Sequence, residues 1–399
     1  MSAAAIKAYQ AKDFATFLAY EKRALALEPS NPRLMYNVAC GEALRGNAVA
    51  AIRLLDQTVA MKLDLGAASD RDFETIRETP EWSDFEMRSA QLLKPLVSSK
   101  VAFTLPDPTL MAVGIAVDPQ TGDSYIASIR QRKIVRRTQA GVVSDLIHEG
   151  QDGFLAGASL AVDPTRRILY ASTAAAPFMR GYRKADEGQS GVFAFDLESG
   201  KLLHKALLQA SGKRHFLNAL AIDRNGTVYV SDSGTAGIYR LSRGADTLET
   251  FVGPDVFHST QGLAFSADEK TLYVADFSDG LWALDMSTKK RRRVEAPADV
   301  WLFGMDGLTP VAEGFLSVQI GVQPNRVLRL RLAPEGDRIA SVEVLEMNHP
   351  DYASPVQGVV SGKNFVYVAN SQLELGNGET GAYAEDRARP TIVLSLPIK

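Results

Sequence analysis

The 399-residue sequence has one cysteine, Cys40. A single thiol cannot form an internal disulfide and cannot build a cysteine-based metal cluster, so disulfide scaffolds and zinc-ribbon folds are both excluded. Long apolar runs are also missing. No stretch approaches the length of a membrane-crossing helix, and the opening Met1-Ser-Ala-Ala-Ala-Ile-Lys lacks the apolar core of a secretory signal. The expectation is a soluble, cytoplasmic protein, secreted or periplasmic only if a signal had been removed. Nor is there an excess of one charge: 44 basic residues face 47 acidic ones, for a net charge of −3. That balance predicts neither a nucleic-acid nor a membrane partner. The one basic run, Lys289-Lys-Arg-Arg-Arg293, reads as a solvated turn or outer strand. There is no G-x-S-x-G, no His/Cys metal spacing, no phosphate-cradling glycine loop and no nucleophile with an evident base. Covalent catalysis and an organic cofactor are therefore not expected.

What is present is enough apolar material for a sizeable core, 46% of residues, in a chain long enough for two domains. Two periods divide it. Over residues 1–96 apolar side chains recur at three and four (Phe14, Phe17, Leu18, Leu25; later Ile52, Leu55, Val59), the helical spacing. Breaks fall at Glu28-Pro-Ser-Asn-Pro32 and at Gly46-Asn47. The turn pair Lys12-Asp13 returns as Gly46-Asn47, 34 residues on, which is the period of a tetratricopeptide array. The segment NPRLMYNVACGEALRGNAVAAIRLLDQTV resembles such a repeat through Tyr36, Ala39, Ala43, Gly46 and Ala51. DRDFETIRETPEWSDFEMR is expected to add a third helical unit. The resemblance implies a small all-α, TPR-like domain over 1–96, with a short groove for a protein or peptide partner.

From residue 97 the period is two. VGIAVDPQTGDSYIAS, ASLAVDPTRRILYAST, NALAIDRNGTVYVSD, QGLAFSADEKTLYVAD, DGLTPVAEGFLSVQ and QGVVSGKNFVYVAN superimpose as apolar strand, polar turn and second strand. Six copies at spacings of 43 to 60 residues predict four strands per copy, hence an all-β six-bladed β-propeller over 97–399. The last strand, TIVLSLPI, is expected to pair with KVAFTLP at 100–106 and close the ring.

The repeat can be read as two rings around one channel mouth. The position before each inner strand gives Val113, Ala158, Asn218, Gln261, Asp306 and Gln357. The end of each second strand gives Ser128, Thr173, Asp232, Asp276, Gln319 and Asn370. On this reading Asp232, Asp276 and Asp306 lie near one axis, where they repel unless a cation, a retained proton or water intervenes. Oxygen ligands of this kind suit calcium, magnesium or manganese. The alternative for Asp232 and Asp276 is structural, holding backbone amides. His215 and His258, each three residues before a ring position, are candidate general bases. Gln357 in the ring, and Arg180 and Arg183 in a polar insertion at 174–190, are candidate contacts for a small-molecule substrate. A second insertion, 371–390, emerges on the same face, and both read as lids.

STQGLAFSADEKTLYVADFSDGLWALD and FGMDGL resemble the SMP-30/gluconolactonase/LRE-like family of six-bladed propellers. The resemblance implies a divalent cation, often calcium, that polarises a lactone carbonyl and activates water, with an aspartate as base. By position Asp306 matches that aspartate, and Asn218, itself also a candidate metal ligand, matches an asparagine that contacts substrate. Gln261 takes the place of a metal-binding asparagine. Val113 stands where the family has a glutamate ligand, and valine binds no metal, so Asp232 or Asp276 would have to substitute. Two functions compete. One is a divalent-metal-dependent hydrolase of a lactone or similar small ester; the other is a non-catalytic propeller scaffold whose helical domain recruits a partner.

Overall fold

The computed structural model describes residues 3–208 and 212–398. The chain divides into two compact units: Met1–Leu96 with Ala296–Leu302 and Val322–Pro324, and Val97–Glu295 with Phe303–Gly321 and Asn325–Lys399. No helix among the described residues is long and apolar enough to cross a membrane.

The first unit is built on helices α1 (Ala3–Gln10), α2 (Phe14–Leu27), α3 (Pro32–Ala43), α4 (Ala48–Ala60) and α5 (Pro80–Leu92). The two turn pairs take the same form. Lys12 and Gly46 are left-handed, at φ 58° and 77°, and the Asp13 and Asn47 side chains then cap α2 and α4. Asn31 and Thr79 cap α3 and α5, each followed by proline at the first helical position. Residues 70–88, expected as one helical unit, form a 3-10 segment over Arg71–Ile76 and then the start of α5. Thr79 precedes Pro80 and is extended, at ψ 148°, so a helix cannot run through it. Ala5, Ala39, Ala43 and Ala51 bring the helices close, and Phe17, Phe73 and Trp82 fill the core between them.

The second unit is a six-bladed β-propeller: six antiparallel sheets of four strands each. Blade one comprises Ala112–Val117, Ser124–Ser128, Lys133–Arg137 and Val143–Ile147. Its second strand is buried at every position, because neighbouring blades cover both faces of the sheet. Asp118 and Asp285 make the hairpin turns of blades one and four by accepting backbone N–H groups two and three residues on. The basic run forms the outermost strand of blade four, Arg291–Arg293, and is exposed along its length. Blade six is assembled from both ends of the unit, with Lys100–Leu105 pairing against Thr391–Pro397, Lys100 opposite Ser395 and Leu105 opposite Thr391.

Candidate functional site

The inner strands do not run straight to the channel mouth. In blades one to four the pairing register slips between Ala112 and Gly114, Gly157 and Ser159, Leu217 and Leu220, and Thr260 and Gly262. Val113, Ala158, Asn218 and Gln261 sit within these slips. A bulge leaves its extra residue unpaired and re-aims the side chain, here into an axial cavity. Blade five arrives through the isolated Met305–Gln319 bridge, with Asp306 next in sequence. Gln357 precedes the first strand of blade six, Gly358–Ser361. All six ring residues line one cavity of about 490 Å³. The glycine after Asp306 is required twice over: Gly307 has φ 110°, and a Cβ there would come within 2.7 Å of the Gln357 Cβ.

Asp306 is the one carboxylate of this ring. Its Oδ2 accepts the backbone N–H of Gln357 at 3.2 Å, and among the described residues no ion pair reaches it. Burial pushes the carboxyl up from 3.8 to about 6, against the smaller opposing effect of that N–H. Such a group is largely ionised at pH 7 yet basic enough to take a proton. Beside it the Asn218 Nδ2 donates to the Gln261 Oε1. That pairing leaves the Asn218 carbonyl and the Gln261 N–H groups for a ligand.

His215 also lines the cavity, and its Nδ1 lies 2.6 Å from Asp232 Oδ2. The carboxylate holds that nitrogen, which leaves Nε2 for a ligand. Asp232 itself has no exposure and does not line the cavity. Its oxygens also accept from the backbone N–H groups of Phe216, Gly234 and Thr235 and from the Thr235 hydroxyl. Asp276, equally buried, accepts from the N–H groups of His258, Ser259 and Ser278. The second ring as read from sequence therefore corrects by one residue in blades one, three, four and five, while Thr173 and Asn370 of blades two and six also lie off the cavity lining. Ser128, Asp232, Asp276 and Gln319 bond inward to backbone or, at Gln319, also to Arg326, while Ile129, Ser233, Phe277 and Ile320 line the cavity. One step along an extended chain turns a side chain to the opposite side.

The remaining candidates lie apart from the cavity. The His258 side chain is 67% exposed, with Asp279 at 3.8 Å. Arg183 pairs with Asp186 at 2.6 Å, and Arg180 reaches the Thr109 hydroxyl at 3.3 Å. Their insertion still contributes to the site, through Phe178 and Tyr182, which line the wall. Leu373 and Gly378 of the second insertion join them. Arg130, on the hairpin of blade one, ties the two together: it donates to the Phe178 carbonyl (3.2 Å) and to Glu385 (3.1 Å), and lies 4.1 Å over the Tyr383 ring. At the rim Arg214 and Glu187 neutralise each other at 2.6 Å. Residue order alone carries no signal for the His215–Asp232 pair or for the aromatic wall, since both depend on which way a loop turns.

No family model matches the chain, and no curated protein matches its sequence. Solved structures do match. A calcium-binding protein, regucalcin, from Agrobacterium tumefaciens is 16% identical, with 75% of this chain and 96% of that one covered and a TM-score of 0.50. The chain has the fold of the gluconolactonase and regucalcin propellers. A gluconolactonase from Xanthomonas campestris is 18% identical over 77% of this chain and 93% of that one, TM-score 0.50. A luciferin-regenerating enzyme is 12% identical over 77% and 100%, TM-score 0.51.

A gluconolactonase-like fold raises the question of a resident dication. Oxygen is the right donor for calcium, magnesium or manganese, but those ions gain affinity from the number of carboxylates around them. The ring offers one, Asp306, with neutral amides at Asn218, Gln261 and Gln357 and hydrocarbon at Val113 and Ala158. Asp232 and Asp276 are committed to backbone amides and do not complete the set. The donors present do not fit a resident dication. Among the described residues the one group of three metal-type side chains, Cys40, Asp70 and Asp72, is in the helical unit. Tyr36 and Tyr9 already donate to those two carboxylates.

Proposed function

We propose that this propeller hydrolyses a small lactone or similar small ester by general acid–base chemistry at the channel mouth. The observation that carries the reading is Asp306: the one carboxylate of the ring, facing the cavity, without an ion-pair partner among the described residues and raised to about 6 by burial. In its ionised form it takes a proton from a water as the water oxygen bonds to the substrate carbonyl carbon. When the tetrahedral intermediate collapses, the ester C–O bond breaks and the departing oxygen takes that proton back from Asp306. Lactone and water give the hydroxy acid, and no bond to the enzyme forms. The free N–H groups of Gln261 and the His215 Nε2 orient the carbonyl and the water, with Asp232 as positioning residue for His215.

The test is a panel of lactones and short esters followed by acid release, with Asp306→Asn alongside and a chelator in parallel. Turnover that survives the chelator and is lost in the variant is the expected result. Turnover that depends on an added dication overturns the acid–base reading, and no turnover on any substrate overturns the hydrolase reading. A second reading, a non-catalytic binding propeller, is favoured by the hydrocarbon at Val113 and Ala158, and it predicts ligand binding without turnover in the same assay. On either reading the helical unit, with its matching capped turns, is proposed to be TPR-like and to recruit a protein or peptide partner.

A further inference from the structure

The cavity has an uneven chemistry. Its polar groups gather at the ring, where Asp306, Asn218, Gln261 and Gln357 converge with His215. Its walls are mostly hydrocarbon, with Ile129, Phe178, Phe216, Phe277, Ile320 and Leu373, and carry the hydroxyls of Tyr182 and Ser233. At the rim Glu187 is shared by two cations, Arg214 at 2.6 Å and Lys184 at 2.5 Å, so these charges sit at the opening. Among the described residues the fixed charges of the cavity other than Asp306 lie at that rim, and on the walls only Tyr182 and Ser233 carry a hydroxyl that a ligand could bond. A volume of about 490 Å³ is that of a site for a molecule of drug-like size.

We propose that the cavity takes a neutral, largely hydrocarbon ligand with a single carbonyl head, an alkyl- or aryl-substituted lactone or ester, and rejects polyhydroxylated sugar lactones. The head sits against the ring, where an N–H donor, a carboxylate and an imidazole nitrogen are available. The tail lies against Phe178 and Leu373 from the insertions and Phe277 and Ile320 from the blades. A sugar lactone placed in the same pose turns most of its hydroxyls toward side chains that cannot bond them, Tyr182 and Ser233 being the exceptions. Each hydroxyl stripped of water without a partner lowers affinity by about tenfold or more. The ring and the walls therefore discriminate in the same direction.

This rests on the hydrolase reading only for turnover, so binding is measured separately. The probes are a δ-lactam with a pentyl substituent and gluconolactam, which mimic the two lactone types and are not hydrolysed. Titration calorimetry on the full chain is expected to give at least a hundredfold tighter binding for the alkyl lactam. Phe277→Ser and Ile320→Ser, each shown by thermal unfolding to be folded, are each expected to weaken it by about tenfold. Equal affinity for the two lactams, preference for the sugar, no binding of the alkyl lactam at millimolar concentration, or no loss in both wall variants overturns the proposal. The matching lactones are assayed for turnover in parallel. Alkyl-lactam binding without lactone turnover removes the hydrolase reading and leaves the ligand class standing.

Discussion

Two neighbouring positions at the ends of the second strands behave as opposites. Asp232 and Asp276 are buried carboxylates surrounded by donors; Ser233 and Phe277, one residue on, face the cavity. Asp306 provides the contrast within one residue type. It receives one backbone N–H and is held well above the usual carboxylate range. A buried acid with its hydrogen bonds filled serves as a fastener, because its charge is already answered. An acid left short of donors at a cavity wall keeps its proton affinity available for a ligand.

The largest effect that sharpens this contrast is at Asp306. Asp306→Asn is expected to lower kcat/KM on the lactone substrate by about a thousandfold. In the wild type kcat/KM is expected to rise with pH through an apparent pKa near 6. Stability moves the other way. Because the folded carboxyl binds its proton more tightly than the unfolded one, stability is fully present below about 4 and declines as pH rises toward about 6. Asp306→Asn removes that decline, which amounts to roughly 3 kcal/mol between pH 4 and pH 8, read from urea unfolding at those two pH values. A wild-type rate flat across this window would break the comparison.

Next comes the fastener. Asp232→Ala strands His215, Thr235 and three backbone N–H groups, and about 3 kcal/mol of unfolding free energy is expected to be lost. Ser233→Ala, one residue away, is expected to change stability by less than about 0.5 kcal/mol. Equal losses at the two positions would show that the strand-end alternation does not decide the roles. Val113→Glu tests the ring's charge count. A second carboxylate facing Asp306 is expected to raise calcium affinity at least tenfold, seen as a calcium-dependent rise in Tm that the wild type lacks. The smallest effect is at His258, which is mostly exposed: His258→Ala is expected to leave turnover within about twofold.

The propeller was legible because its signal is repeated. Six copies of one strand–turn–strand pattern place six residues before the inner strands, and those residues do line one cavity. The closing pair of Lys100–Leu105 with Thr391–Pro397 was legible too, since two unpartnered apolar strands remained. The second ring was not legible to the residue. An extended chain flips its side chains at every step, and nothing in VYVSDS or LYVADF says where the strand stops and the loop turns in. Asp232 and Ser233 differ by that one step. The insertions show another limit: Arg180 and Arg183 stand out in the sequence by charge, yet Phe178 and Tyr182 reach the cavity, because the loop's apolar side is what packs against Met111 and Ile129.

Arg130 gives the two insertions a common anchor. One guanidinium holds the Phe178 carbonyl on one side and Glu385 with Tyr383 on the other. Segments that share an anchor do not loosen independently: freeing either one removes a bond that also limits the other. A ligand that touched Phe178 and ordered 174–190 is accordingly expected to restrict 371–390 as well. Two loops far apart in sequence are in this sense joined at one side chain.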